Sequence, residues 1–437
     1  MFDIHEKPKM VERALLIGIY QKGEDPDLAQ DLLSELEELV DTMGVPVFAK
    51  ELVQIRQPQA RYLMGKGKAE EMIDIVRDLN LDVIIFDNVL TPAQQRNWEA
   101  LHSVCVIDRQ EVILDIFSNR AQTKEARLQV ELARLQYNLP RLTRAWSHLG
   151  QQGGGIGTKG EGETQLELDK RMIRSRITQV QKELAAVRLR RATQRKERQR
   201  VPVPNAAIVG YTNAGKSSLL TALTKADILV ENKLFATLDT TTRKIALPNQ
   251  QPLLLTDTVG FVRRLPHQLI EAFKSTLEEA TIANFLIHLL DASQPQVYQF
   301  HRTTLDVLEE LGARGKKTIT VFNKVDKLSD PSIIASLKLH FPDAIFISLK
   351  SGQGLFELEH LLCQLVEEES LNLHLEIPHA RADLIARLYR EANVLHIEYR
   401  DAITTVVASV PAKIVPHFEQ FAKESDKTVE INTRASR

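Results

Sequence analysis

The segment GYTNAGKSS, residues 210–218, joins the apolar run AAIVG to the apolar, helix-period run LLTALTKA. A strand that turns sharply on glycine and leaves as a helix needs a sheet with its helices packed on the faces. That requirement restricts this part of the chain to an α/β layer fold. The spacing of Gly210, Gly215, Lys216 and Ser217 is that of a phosphate-binding P-loop. The glycines let backbone N–H groups turn inward around an anion. The start of the following helix adds a dipole of about half a charge. Lys216 is expected on the β- and γ-phosphates and Ser217 on Mg²⁺. Tyr211, Thr212, Asn213, Ala214 and Ser218 complete the expected cradle.

Three later motifs follow in order. FATLD (Phe235, Ala236, Thr237, Leu238, Asp239) offers Thr237, which can join Ser217 on the metal when a γ-phosphate is present. The alternative for Thr237, an ordinary polar loop residue, is the less favoured reading. DTVG (Asp257, Thr258, Val259, Gly260) follows an apolar strand. Its aspartate can reach the metal through water, and the Gly260 N–H can reach the γ-phosphate. Lys216, Thr237 and Gly260 are therefore the candidate catalytic groups. NKVD (Asn323, Lys324, Val325, Asp326) decides the base. The Asp326 carboxylate can accept from guanine N1–H and the 2-amino group. Adenine offers neither donor, and an unpaired carboxylate would cost about 1–3 kcal/mol or more. Asn323 is expected to brace the loop and Lys324 to lay its stem over the base. SLK (Ser348, Leu349, Lys350) is expected to cover the base from the other side. GTP is favoured over ATP. One residue is discordant: Phe261 stands where many such switches place a glutamine that orients water.

At 437 residues the chain suggests about three domains at roughly 150 residues each, and the patterns divide it into four segments. Residues 1–110 alternate strand and helix patterns and predict an α/β domain. Residues 111–202 turn helical and predict an arm of two helices, joined by the glycine-rich stretch GQQGGGIGTKGEGETQ. Within it, residues 170–200 carry twelve Lys or Arg against two Glu. VPVPN then ends the helix. Residues 203–370 predict a mostly parallel sheet with helices on both faces and one antiparallel strand. Residues 371–437 predict a small α+β domain: a helix at RADLIARLYREA, strands at VLHIEYR and TTVVASV, a helix at AKIVPHFEQFA and a final strand TVEIN.

The formal net charge of -2 argues against a chain that coats nucleic acid uniformly, although the arm is locally basic. Cys105 and Cys363 are too few for a disulfide framework or a cysteine zinc site. MFDIHEKPKMVER is charged, without the apolar stretch of a secretory signal, and the apolar runs are too short to span a bilayer. A cytoplasmic protein is expected, with a monomer as the default.

The chain resembles the HflX family of translation GTPases, grouped with Obg and Era-like proteins. The resemblance covers nearly all of it. It rests on YLMGKGKAEEM, FDNVLTPAQQRNWE, VIDRQEVILDIFSNRAQTKEARLQVELARLQY, GGGIGTKGEGETQLELDKR, GYTNAGKS, FATLD and DTVGF. Two departures are visible: DTTTR replaces the family's Asp-Pro-Thr-Thr-Arg, and SLK replaces the commoner Ser-Ala-Lys. The resemblance implies a GTPase, slow alone and stimulated by its partner. That partner would be the 50S subunit and the 70S ribosome, through 23S rRNA, with separation of stalled ribosomes as the outcome. It also implies that K⁺ can sit against the phosphates when Asn213 is present. Other readings stay open: an assembly or RNA-modification GTPase, a GTP-sensing adaptor that does not hydrolyse, and an ATP-dependent RNA-remodelling protein. The last would use MGKGK, residues 64–68, as a second nucleotide site.

Overall fold

A computed structural model of the chain describes residues 13–142, 161–200, 203–224, 234–235, 237–264, 279–313, 315–368, 370–400, 402–411 and 414–423. The chain divides into two compact units. The first comprises residues 1–187 with 231–239 and 262–274; the second comprises 188–230, 240–261 and 275–437.

The first unit is built on a four-stranded parallel sheet, order β2-β1-β3-β4. Its strands are β1 (Ala14–Gln21), β2 (Val47–Ile55), β3 (Val83–Phe86) and β4 (Cys105–Asp108). Helices α1 (Pro26–Met43), α2 (Lys66–Asp78) and α3 (Pro92–Leu101) make the crossovers. Their ends are written in the sequence. The Asp25 carboxylate accepts from Asp27 N and Pro26 sits at the helix start, while Gly44 closes α1 at φ 84°. Thr91 and Gln94 form a reciprocal capping box on α3. The core gathers Leu15, Ile17, Ile84, Phe86 and Trp98, each fully buried. Trp98 spares itself an unpaired polar atom by donating Nε1–H to Tyr62 O at 3.1 Å.

Two helices follow, α4 (Arg109–Arg120) and α5 (Lys124–Asn138), and then the long α6 (Glu161–Arg200). Leu128, Leu132 and Leu135 of α5 pack with Val180, Leu184 and Val187 of α6, the arm expected from the helical patterns. Arg176 adds an ion pair to Glu131 at 2.7 Å. The glycine-rich stretch 150–160 lies outside the described residues.

The second unit contains a six-stranded sheet, order β10-β9-β8-β5-β7-β6. Its strands are β5 (Asn205–Gly210), β6 (Thr241–Ala246), β7 (Pro252–Asp257), β8 (Phe285–Asp291), β9 (Lys317–Asn323) and the two-residue β10 (Ile345–Phe346). All pairings are parallel except β6 with β7, the hairpin expected from TRKIALPNQQPLLLTD. Helices α7 (Lys216–Thr224), α8 (Val297–Glu310), α9 (Pro331–His340) and α10 (Leu355–Glu368) complete it. Ile208, Leu219, Leu253, Leu255, Ile287, Leu289, Val321 and Leu358 share one core and are each fully buried. Burial of one such side chain stabilises the fold by about 2 kcal/mol.

The tail of this unit is an antiparallel sheet, order β11-β13-β12, from β11 (Ser370–Pro378), β12 (Asn393–Tyr399) and β13 (Ile403–Pro411). Helix α11 (Ala382–Glu391) packs Leu384 and Leu388 into its core. Two sequence expectations change here. Strand β11 was not anticipated. The helix expected over AKIVPHFEQFA is two 3-10 turns, Val415–His417 and Glu419–Phe421, because Pro416 lacks the N–H that an α-helix would need at its centre. TVEIN lies outside the described residues.

Candidate nucleotide site

The turn between β5 and α7 is where the sequence places a phosphate cradle, and its backbone shows why glycine is required. Gly210 has φ +148°, and a Cβ there would lie 2.2 Å from Leu289 O. Gly215 has φ +101°, and a Cβ would lie 2.5 Å from Asn323 Nδ2. Both positions combine an unfavourable backbone region with no room for a side chain. Asn213 adopts the left-handed region at φ 62°, which asparagine tolerates better than most residues.

The side chains of the turn are held from behind. Lys216 is buried and donates Nζ–H to Tyr211 O at 2.8 Å. Burial pulls its ammonium down to about 8, and the Asp257 carboxylate acts in the opposite direction. Tyr211 stacks on Phe300 of α8 with ring centroids 4.0 Å apart. The Ser217 hydroxyl donates to Asp257 Oδ2 at 2.6 Å. The hydroxyl and the carboxylate expected around a metal are thus already adjacent, and the chemistry of the pair fits Mg²⁺, a hard cation that takes oxygen ligands. Among the described residues no group of three or more His, Cys, Asp or Glu could hold a metal. A Mg²⁺ ion here would need oxygens from the nucleotide, as P-loop sites arrange it.

The loop after β7 is threaded into the cradle. Phe261 N donates to Gly210 O at 3.1 Å, and Thr212 N donates to Phe261 O at 2.8 Å. The Thr258 hydroxyl donates to Ile208 O at 2.7 Å. A Cβ on Gly260 would meet Thr212 at 2.7 Å and Lys216 Nζ at 2.9 Å, so only glycine admits this approach. The Phe261 side chain is 1% exposed. It is a core residue anchored by its backbone and has no group that could hold water.

The NKVD and SLK loops are braced by Asn323. Its Nδ2 donates to Ala214 O at 2.9 Å, and its Oδ1 accepts from Leu349 N at 3.3 Å. One buried amide therefore ties the P-loop, NKVD and SLK together. Lys324, at φ 64°, donates to Asn213 O at 2.7 Å and pairs with Asp291 at 2.8 Å. The Ser348 hydroxyl donates to Asp326 Oδ1 at 2.6 Å. That bond holds the Asp326 carboxyl below its usual range, so it is ionised and ready to accept. Val325 is buried and Leu349 packs on the core, which leaves Lys350 as the polar end of SLK. Two residues were missed in the sequence. Asp291, the last residue of β8, pairs with Lys324, and Phe300 of α8 stacks on Tyr211.

The candidates Phe235, Thr237, Leu238 and Asp239 belong to the first unit. Ala236 lies outside the described residues. Phe235 is buried edge-on against Phe117, centroids 4.6 Å apart. The Asp239 carboxylate is engaged by Gln122 N, Thr123 N and the Thr123 hydroxyl rather than lying open. The glycine-lysine stretch in residues 64–68 differs from the P-loop: Gly65 has φ -63°, and a Cβ on Gly67 would meet nothing within 4 Å. Lys66, Gly67 and Lys68 lie in α2, where the lysines pair with Glu70 and Glu71 on the surface.

Three family models match the chain in succession: the GTP-binding GTPase N-terminal region over residues 30–118, the GTP-binding GTPase middle region over 120–198, and a 50S ribosome-binding GTPase over 205–324. A protein named GTPase HflX from Akkermansia muciniphila is 48% identical over 433 residues, 96% of this chain and 99% of that one. One of the same name from Escherichia coli is 40% identical over 392 residues, 89% of this chain and 90% of that one. A crystal structure of a GTP-binding protein from Sulfolobus solfataricus in complex with GDP is similar at 24% identity and TM-score 0.45, over 82% of this chain and 99% of that one. The family models and the two proteins named GTPase HflX agree on GTP binding and hydrolysis: the chain belongs to the HflX family of GTPases.

Proposed function

We propose that this GTPase binds the 50S subunit and the 70S ribosome and separates or rescues stalled ribosomes, with GTP setting its grip. The observation that carries this reading is the arm. Twelve Lys or Arg against two Glu over residues 170–200 lie on a single helix, α6. Such a row neutralises rRNA phosphates and releases counterions on binding. The family description of residues 205–324 as a 50S ribosome-binding GTPase points to the same partner.

In this reading Lys216 holds the β- and γ-phosphates, and Ser217 and Thr237 would hold a Mg²⁺ ion, which would supply positive charge against the phosphates. Thr237 and Gly260 sense the γ-phosphate, and hydrolysis releases both. Asp326 selects guanine. Since the Phe261 side chain offers no hydrogen bond, water is positioned by groups that the ribosome supplies or orders. A positive group given in trans is worth about 10³ to 10⁵ in rate. Asn213 allows K⁺ to share this work, and equal GTPase rates in matched KCl and NaCl buffers would dispose of that part.

The test is a sucrose-gradient profile of 70S ribosomes with the protein and GTP or a non-hydrolysable analogue. Separate 30S and 50S peaks are expected with the triphosphates and not with GDP. An unchanged 70S peak in every nucleotide state overturns the separating role and leaves an assembly or modification GTPase. Changing arginines between 188 and 200 to glutamine should weaken 50S binding and flatten its dependence on salt, by about one unit of slope per lost contact.

A further inference from the structure

Asp291 ends β8 and stands opposite Asn323, the last residue of β9, in the register of the two strands. Ala292 N donates to Asn323 O at 2.9 Å and ties the strand ends together. The sheet itself therefore delivers this carboxylate beside NKVD. Both of its oxygens are committed. Oδ1 accepts from Ser293 N at 3.0 Å and from the Ser293 hydroxyl at 2.6 Å. Oδ2 lies 2.8 Å from Lys324 Nζ. The Asp291 side chain is 8% exposed and that of Lys324 19%, so solvent and salt screen the pair little.

Lys324 is constrained at both ends. Its backbone sits at φ 64°, a region uncommon for a residue with a Cβ. Its ammonium also donates to Asn213 O of the P-loop at 2.7 Å. A lysine side chain has more rotamer freedom to lose than most. Here two fixed acceptors set the direction of its alkyl stem. The Asn213 carbonyl is a neutral acceptor, whereas with Asp291 both partners are charged, and such a bond is roughly twice as strong as one between neutral groups.

We propose that Asp291 is a positioning residue for guanine-nucleotide binding. It holds the Lys324 ammonium, and Ser293 locks the carboxylate that does so, which lays the stem out for the base before nucleotide arrives. The proposal rests on the reading of NKVD as the base-recognition loop. A stem already ordered loses less freedom when the base settles against it. GTP and GDP share the base, so the effect falls on both alike, and chiefly on their release. Asp326 accepts from guanine directly in this reading; Asp291 acts only through Lys324.

The test follows the release of fluorescent GTP and GDP analogues from the full chain. Asp291→Asn keeps one oxygen for Ser293 and turns an amide NH₂ toward the ammonium, donor against donor. It should speed release of both analogues by about tenfold and keep their affinity ratio within about twofold. Ser293→Ala, which frees one oxygen, should speed release by about threefold. Lys324→Met retains the stem without the ammonium and should weaken binding by about tenfold, while Asp291→Asn added to it should cost less than about twofold more. A role confined to folding would not produce that non-additivity. Wild-type release in Asp291→Asn, or a further loss of about tenfold in the double variant, would overturn the proposal. If Asp291→Asn does not fold, Ser293→Ala decides in its place, and wild-type release there overturns it. Lys324→Met separates the two levels: unchanged affinity for both nucleotides would overturn the base reading and the proposal with it, whereas a loss beside an unaffected Asp291→Asn would overturn the proposal alone.

Discussion

The sheet of the first unit and the larger sheet of the second both carry a stretch rich in glycine and lysine at the start of a helix, and the two differ in backbone and in the setting of their lysines. At the start of α2, Gly65 has φ -63° and Gly67 sits inside the helix, where a Cβ would meet nothing within 4 Å. At the start of α7, the glycines occupy positions where a side chain would strike Leu289 and Asn323. The lysines differ as well. Lys66 and Lys68 are exposed and paired with glutamates one turn on, whereas Lys216 is buried against a carbonyl. Glycine and lysine mark a phosphate site when the backbone is forced and the ammonium is desolvated, and composition alone does not distinguish the two cases.

The sharpest way to break this contrast is Gly210→Ala. A Cβ 2.2 Å from a strand carbonyl, at a disfavoured φ, should destabilise the second unit by about 3 kcal/mol or more, read as a lower melting temperature and loss of GTP binding. Lys216→Ala should leave the fold intact and weaken GTP binding by about 100-fold or more, measured by titration with a fluorescent analogue. Asp326→Asn should redirect rather than abolish binding, with xanthine nucleotides gaining on guanine ones by about 100-fold. Gly67→Ala should do least. GTP affinity should not change, and the helix should gain up to about 1 kcal/mol, visible as a slightly higher melting temperature. A loss of GTP binding in Gly67→Ala would erase the distinction between the two turns.

Much of the nucleotide site could be read from the sequence because its chemistry is local. GYTNAGKSS, DTVG and NKVD each carry their meaning within a few residues, and in the second unit Asn323 joins NKVD to the P-loop while Ser217 joins the P-loop to Asp257. The parallel strands were legible as short apolar runs between helix-period segments. Strand β11 was not, although Leu371, Leu373, Leu375 and Ile377 alternate in it, because it follows α10 with hardly a break. The helix expected near residue 416 failed on one proline. The anchoring of Asp239 and Arg263 was beyond reach for a different reason. Asp239 meets a partner 116 residues away and Arg263 one 228 residues away, and no local pattern encodes such a pairing.

Phe261 has a consequence for timing. A side chain sealed in the core and strapped by its backbone to Gly210 and Thr212 does not swing out to hold water. On the function proposed above, a population charged with triphosphate waits, like a set trap, until contact with its target starts the clock, and the cell governs turnover through the number of targets.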